Sequence, residues 1–583
     1  MIVGPHVPLA LLGCAGLIGC SGVFIAAPAP APAPAVRATS VPQAASHCAA
    51  LARFALPQVR ITEASLIAAA SVRAKEPGSN REVGEPLPEH CLVRGRIDER
   101  IGADGKPYHT GFELRLPSQF SGRFFYQGGG GNDGQINNAV GRNTGALGWG
   151  DNALSRGFAV VTTDAGHQSP APDFGLDPQA RTEHAYRAHE RTAATAKAIL
   201  ATYYGREADR SYFVGCSGGG RQGMMFTQRF PGVFDGVIAQ APAMRVSEGA
   251  TIAAAWTVQK FMAVAPAGAD GQPVLARALS ELQLKRVARE VLQRCDALDG
   301  LKDGLVQDHA NCRIDPAELQ CPIGASTARD GRAGGAGDGA AAGGNATASA
   351  GADEGCLQPA QANALGEVMA GPRAGRGALY FGWPWDPGIA DAGWRAWTLG
   401  TAQQGAPNAR HVTLMAGALG YEFVTPPDPS LSTLNFDFER DPPRMQAFHR
   451  EYDTADDVQL TGYRQRGGKL MLIHGLADPI FSALETVDYQ QRLNAAHGPA
   501  QAARFARSFL VPGMTHCSGG PATDAFDGLT ALVRWVEQDQ APESILARGT
   551  VALPGVSRPL CAHPKLARYR SGDVSSADSF ECR

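Results

Sequence analysis

The sequence predicts an α/β fold interrupted by a large inserted lid domain, and three observations carry that expectation. Short apolar runs each deliver a polar residue at their C-terminal end. Phe124-Phe125-Tyr126 precedes a glycine cluster, Phe158-Ala159-Val160-Val161 precedes Asp164, Tyr212-Phe213-Val214 precedes Ser217, Leu470-Met471-Leu472-Ile473 precedes Asp478, and Phe509-Leu510-Val511 precedes His516. Helical stretches lie between them: the Ala-rich run from Glu183 to Tyr204, the segment after Ser217 with Met224, Met225 and Phe226, and Phe526 to Val536. Between residues 245 and 453 the alternation fades, while turns, tryptophans and cysteines accumulate. In an open α/β sheet the reactive groups gather at the carboxyl ends of the strands, where each of these polar residues falls.

At 583 residues the chain exceeds a usual single core. The expected organisation is a first core segment over 46–244, the lid over 245–453 and a second core segment over 454–583. Asp478 and His516 lie beyond the lid and complete a site begun before it, which favours an insertion over a linker between independent domains. Within the lid, 324–355 is nearly all Gly, Ala, Ser, Thr and Asp, too poor in apolar side chains to fold alone. The formal charge of -3, from 53 Lys+Arg against 56 Asp+Glu, offers no electrostatic case for nucleic acid or an acidic partner. Recognition must therefore come from a pocket, and a monomer is expected.

The apolar stretch from Val7 to Ile25 reads as an export signal over 1–20, followed by an Ala/Pro-rich tether over 21–45. Leu17-Ile18-Gly19-Cys20 resembles the lipobox of bacterial lipoproteins, which makes Cys20 a candidate lipid anchor to a membrane. The expected location is exported: periplasmic, outer-membrane lipoprotein or extracellular. No Lys or Arg precedes the apolar run, a departure from an ordinary signal. A membrane-spanning helix is the weaker reading, because Gly and Cys break the segment and a Pro-rich tether follows it.

Ser217 lies inside Gly215-Cys216-Ser217-Gly218-Gly219, a Gly-x-Ser-x-Gly run that places a serine on a sharp strand-to-helix turn with its oxygen exposed. Alone this is a weak signal, since glycine-rich turns with serine are common. Two cysteines sharpen it. Cys216 adjoins Ser217 and Cys517 adjoins His516, so a disulfide between them would clamp a serine beside a histidine. Ser217, Asp478 and His516 also follow the order Ser, acid, His typical of an α/β-hydrolase fold. In that reading Ser217 attacks an ester carbonyl, His516 takes and returns its proton, and Asp478 orients the imidazole. For Asp478 alone, an Asx-turn or helix cap is the plain alternative. The glycines 128–131 after a strand suit an oxyanion loop, with the N–H groups of Gly131 and Gly218 as donors; a flexible turn is the alternative.

Setting aside Cys14 and Cys20 leaves ten cysteines, an even number in a chain read as exported, so disulfides are the default. Sequence proximity suggests Cys48 with Cys91, Cys295 with Cys312, Cys321 with Cys356 and Cys561 with Cys582, but spacing leaves the connectivity open. The segment from Cys295 to Leu305 packs Asp296, Asp299 and Asp303 into a glycine-containing loop. Calcium favours such oxygen ligands, although the spacing is not that of an EF-hand and a solvated acidic loop fits equally well. The loop lacks a His-Cys combination suited to zinc.

These motifs resemble the tannase and feruloyl esterase family, whose paired Cys-Ser and His-Cys signature is matched by 215–223, by the Asp478 turn and by Met514-Thr515-His516-Cys517-Ser518-Gly519-Gly520. The resemblance covers nearly the whole chain after the tether. It implies five disulfides, Cys216–Cys517 and the four pairs above. It also implies a structural calcium ion held by Asp296, Asp299 and Asp303 and by the carbonyls of Leu301 and Leu305, and a substrate pocket under the lid. Trp397 and Phe481 fall where aromatic rings hold a flat acyl group. His411, with Arg410 beside it, falls where a lid arginine reads a carboxylate, and Met415 where a mobile phenylalanine stands. A neutral imidazole does not replace a bidentate guanidinium in that task. The expected activity is that of a serine carboxylic-ester hydrolase acting on small aromatic esters of the terephthalate monoester type. The alternatives are a feruloyl esterase or tannase on plant phenolic esters, and a catalytically silent surface binding protein, against which the intact Ser217, Asp478 and His516 argue. A serine peptidase is weaker still, for want of an amine-recognising carboxylate or propeller repeats.

Overall fold

Nine strands form the central sheet: β1 (Val59–Ile67), β2 (His90–Ile101), β3 (Pro107–Pro117), β4 (Arg123–Gln127), β5 (Ala159–Thr163), β6 (Arg210–Cys216), β7 (Gly236–Gln240), β8 (Lys469–Gly475) and β9 (Ala506–Val511). Their spatial order is β9-β8-β7-β6-β4-β5-β3-β2-β1. The pairs from β9 through β5 are parallel, and those from β5 through β1 antiparallel. β7 is buried throughout and β6 and β8 nearly so, as parallel strands covered on both faces must be, whereas the outer half of β2 alternates buried and exposed positions. The computed structural model describes residues 39–40, 44–75, 82–141, 152–322, 355–375 and 377–583. The export signal, most of the tether with Cys20, and nearly all of the loop 324–355 therefore lie outside the described residues. Residues Ala38–Arg583 form one compact unit.

Two apolar clusters cover the two faces of the sheet. Phe213, Val237 and Leu472 point into one with Tyr126 and Phe226, while Tyr212, Ile238 and Met471 point into the other with Trp535. Helix α1 (Ala188–Tyr204) ends on Gly205 at φ 68, a left-handed C-cap that only glycine adopts cheaply. It is preceded by helical turns from Pro178, so the helix expected from Glu183 begins earlier. α2 (Gly218–Arg229) follows β6 directly and buries Met224, Met225 and Phe226.

The segment 245–453 contributes α3 (Thr251–Met262), α4 (Glu281–Cys295) and α5 (Pro359–Ala370), which share a separate apolar cluster with Trp394. Ser280 and Gln283 close a capping box at the start of α4. The two chain crossings of the lid run side by side: Thr454 N–H donates to Met244 C=O at 2.7 Å, and Asp453 accepts from the Ser247 hydroxyl at 2.7 Å. All five expected disulfides form.

The register sets the site. Cys216, Gln240, Ile473 and Phe509 pair across β6, β7, β8 and β9 in one row, so the turns carrying Ser217, Asp478 and His516 leave the sheet at the same edge.

Candidate active site

Ser217 occupies a backbone conformation that few side chains tolerate, φ 65 and ψ -125. Such strain costs about 1–3 kcal/mol and persists only where the surroundings impose it. They do so through glycine. A Cβ on Gly215 would lie 2.5 Å from the Gly219 carbonyl, and one on Gly219 would lie 2.5 Å from the Gly129 oxygen. The glycine loop is thus pressed backbone to backbone against the turn. It is braced by Gly128 N–H on Val214 C=O at 2.9 Å, Gly129 N–H on Gln222 Oε1 at 3.0 Å and Gly130 N–H on Asp133 Oδ1 at 2.8 Å. The next N–H, of Gly131, donates to no group among the described residues, and Gly218 opens α2, whose first N–H groups have no partner within the helix. Both lie beside the half-buried Ser217 hydroxyl, which itself makes no hydrogen bond among the described residues.

Asp478 is 1 % exposed in the turn after β8. Its Oδ1 accepts from the N–H groups of Ile480 at 2.9 Å and Phe481 at 3.1 Å, and its Oδ2 accepts from His516 Nδ1 at 2.8 Å. One oxygen thus closes the turn, and the other accepts from the His516 ring. Burial pushes its carboxyl up, but His516 and His474 outweigh burial and hold it well below the usual carboxylate range. The Cys216–Cys517 disulfide, with Cα atoms 6.0 Å apart, ties the His516 turn to the Ser217 turn, and Gln240 Nε2 donates to Cys517 C=O at 2.6 Å. The His516 ring meets the Trp397 ring edge-on at 5.2 Å and the Phe481 ring at 5.5 Å. Asp386, a buried lid residue that sequence reasoning did not single out, accepts from Gly513 N–H at 3.0 Å and so pins the start of the His516 turn. The Asp386-Pro387-Gly388 turn signature was the signal available for it.

A cavity opens over Ser217, with Gly131, Gly218, Trp397, Met415 and Phe481 in its wall. Arg410 and His411 are not among the lining residues. Arg410 is exposed, its guanidinium 5.3 Å over the Trp397 ring. His411 is 1 % exposed, both ring nitrogens lack hydrogen-bond partners, and burial pulls it down to about 3, so it stands neutral beside Trp397. The wall instead holds a buried ionic group that the sequence did not announce: His184, Arg221, Glu422 and Tyr452. The His184 ring lies 2.8 Å from the Tyr452 hydroxyl, 3.2 Å from Glu422 Oε2 and 3.5 Å from Asp133 Oδ2. Burial opposes its charge, but Glu422 and Asp133 prevail and raise it to about 9.

A model of the family described as tannase and feruloyl esterase matches residues 91–583. The chain belongs to the tannase and feruloyl esterase family. It is a carboxylic ester hydrolase. Mono(2-hydroxyethyl) terephthalate hydrolase of Piscinibacter sakaiensis is 41% identical to it over 547 residues, which cover 85% of each chain. Feruloyl esterase B from Aspergillus oryzae superposes with a TM-score of 0.73 at 23% identity, covering 93% of this chain and all 100% of the other. Tannin acyl hydrolase from Aspergillus niger does so at 0.63 and 20% identity, covering 91% and 92%. The two structures establish a shared α/β-hydrolase fold.

In the Cys295–Leu305 loop the three carboxylates are each held by backbone N–H groups or by Arg558, and they do not bring one oxygen each within 4.8 Å of one another. Asp296 Oδ1 accepts from the N–H groups of Asp303 at 3.1 Å and Gly304 at 3.0 Å, and Asp299 Oδ1 from Leu301 N–H at 3.1 Å. Asp303 Oδ2 pairs with Arg558 at 2.6 Å. The carbonyls of Leu301 and Leu305 accept no hydrogen bond among the described residues, so the oxygens expected to hold a cation have lone pairs to spare. Elsewhere, Glu248, His449 and Asp453 bring one atom each within 4.8 Å of one another. Asp453 at 3.6 Å and Glu248 at 3.3 Å raise His449 despite partial burial, as ion-pair partners do.

Proposed function

We propose that this esterase cleaves small esters of aromatic acids through an acyl-enzyme on Ser217. The observation that carries the reading is the convergence of a strained, solvent-facing serine, two unpaired glycine N–H groups and the Asp478–His516 pair on a cavity walled by Trp397 and Phe481. Ser217 Oγ bonds to the ester carbonyl carbon while His516 Nε2 takes its proton. The resulting oxyanion accepts from Gly131 and Gly218, and His516 returns the proton to the departing alcohol. Water then repeats the sequence, giving its proton to His516 and releasing the acid as Ser217 is reprotonated. Asp478 stays ionised throughout and stabilises the imidazolium. Nε2 closes onto Oγ when substrate binds, as catalytic contacts often tighten only in the complex.

The 41% identical relative points to terephthalate monoesters, and the family to ferulate and gallate esters. A structural calcium ion fits Asp296, Asp299, Asp303 and the free carbonyls of Leu301 and Leu305, supplying the positive charge that buried carboxylates lack. Five disulfides suit an oxidising, exported location. The test is hydrolysis of mono(2-hydroxyethyl) terephthalate, methyl ferulate and methyl gallate, with Ser217→Ala as the blank. Turnover lost in the variant is expected. Turnover that survives Ser217→Ala, or none with the parent enzyme, refutes the reading.

A further inference from the structure

One charged group in the cavity wall takes no part in the chemistry above. Glu422 stands in the short helical segment Ala418–Phe423, is 1 % exposed and lines the cavity that holds Ser217. Its Oε2 has no hydrogen-bond partner among the described residues. The His184 ring lies 3.2 Å away as an ion pair, and although burial pushes the carboxyl up, His184 and Tyr452 hold it below its usual range. A buried carboxylate oxygen left in that state is costly unless a ligand brings a donor to it.

The surrounding charge decides which ligand. Two carboxylates, Asp133 and Glu422, face two cations, His184 and Arg221, so the group is balanced without a ligand. Arg221 spends its guanidinium on the carbonyls of Ala185 at 2.6 Å and His184 at 3.1 Å. Arg410 lies outside the cavity wall and His411 is neutral. A second carboxylate entering this space would meet Glu422 with no cation in reserve. A hydroxyl or amine would complete it.

We propose that Glu422 determines the acyl selectivity of this enzyme: its Oε2 accepts a hydrogen bond from a hydroxyl or amine on the aromatic acid, and its charge disfavours a carboxylate there. This rests on the esterase reading of Ser217 and separates the chain from the terephthalate monoester named for its 41% identical relative. A site built to bond a polar substituent discriminates strongly, because the unmatched ligand leaves a buried group unpaired.

The test compares kcat/KM for methyl 4-hydroxybenzoate, methyl benzoate and monomethyl terephthalate, with p-nitrophenyl acetate and Ser217→Ala as controls. The parent enzyme should favour the hydroxylated over the unsubstituted ester by at least about tenfold, and should handle the carboxylated ester worst. In Glu422→Gln the disadvantage of the carboxylated ester should shrink by about tenfold relative to methyl benzoate, a ratio that a merely structural role would leave unmoved. Parent selectivity decides the matter even if the variant does not fold. Equal or faster cleavage of the carboxylated ester by the parent overturns the role of Glu422 while leaving Ser217 chemistry intact. Absence of Ser217-dependent turnover on every ester, p-nitrophenyl acetate included, overturns both.

Discussion

Asp478 and Asp299 are both buried aspartates in turns, and their carboxyls move in opposite directions. Burial pushes each of them up. For Asp478 the chain supplies its own cations, His516 and His474, and the carboxyl ends well below its usual range. For Asp299 the neighbours are Asp303 and Asp296, and with burial as the main cause the carboxyl rises to about 7 against the pull of Leu301 N–H. One site is electrically complete within the polypeptide, while the other has oxygen atoms and too little positive charge. The contrast separates a carboxylate whose counter-charge lies within the chain from one whose nearest charged neighbours are mostly other carboxylates.

Breaking the complete site has the largest effect on an enzyme that still folds. Asp478→Asn keeps an oxygen for the Ile480 and Phe481 N–H groups but removes the charge that stabilises the imidazolium. The expected loss is about 10⁴-fold in kcat with little change in the melting transition. Next come the glycines. Gly219→Ala sets a Cβ 2.5 Å from the Gly129 oxygen, a backbone clash that the Ser217 turn cannot absorb, and should leave no folded, active enzyme. Gly131→Ala meets no atom within 4 Å but sits at φ 61, so it should fold and lose activity more modestly, about tenfold if the strain displaces the N–H by the equivalent of roughly 1 kcal/mol. Circular-dichroism melting beside kcat separates the two outcomes. Smaller again is the double variant Cys216→Ala/Cys517→Ala. The bridge spans a sequence separation of 301, and its removal should cost unfolding free energy at the upper end of the usual range for a disulfide, about 4 kcal/mol or more. Gln240 still holds the Cys517 carbonyl, so residual activity on a fast ester should persist.

The same contrast explains what could be read from the sequence. Ser217, Asp478 and His516 were legible because each follows an apolar strand, and a parallel sheet brings strand ends to one edge. The glycine loop was legible as a run of four glycines after a strand, and close contacts at Gly128 and Gly129 leave no room for a side chain there. The antiparallel strands β1 to β3 carried no reactive group at their ends and went unnoticed. The ionic group of the cavity wall was hidden for a different reason: His184 and Glu422 lie far apart in sequence, in helical segments with no motif, and meet only in the folded chain. His411 is the converse case: the family resemblance suggested a substrate contact, whereas its ring is buried beside Trp397 and is not among the residues lining the cavity.

The incomplete site yields the smallest effect, and its pH dependence is diagnostic. Asp299 binds its proton more tightly in the native state than at its ordinary value of 3.8, so in chelated protein it contributes stability at low pH that is lost as pH rises through about 7. Calcium reverses the sign, because the cation binds the ionised carboxylates and competes with protons. A cation at one hundred times its Kd should add about 2.7 kcal/mol. Denaturation midpoints at about pH 5 and about pH 7.5, with calcium and with EDTA, should therefore diverge as pH rises. Asp299→Asn should remove most of the divergence while leaving kcat at 25 °C unchanged, since the loop does not line the cavity over Ser217. Midpoints that coincide at both pH values would mean that Arg558 on Asp303 is counter-charge enough, and that the loop is a solvated acidic turn with no cation to complete it.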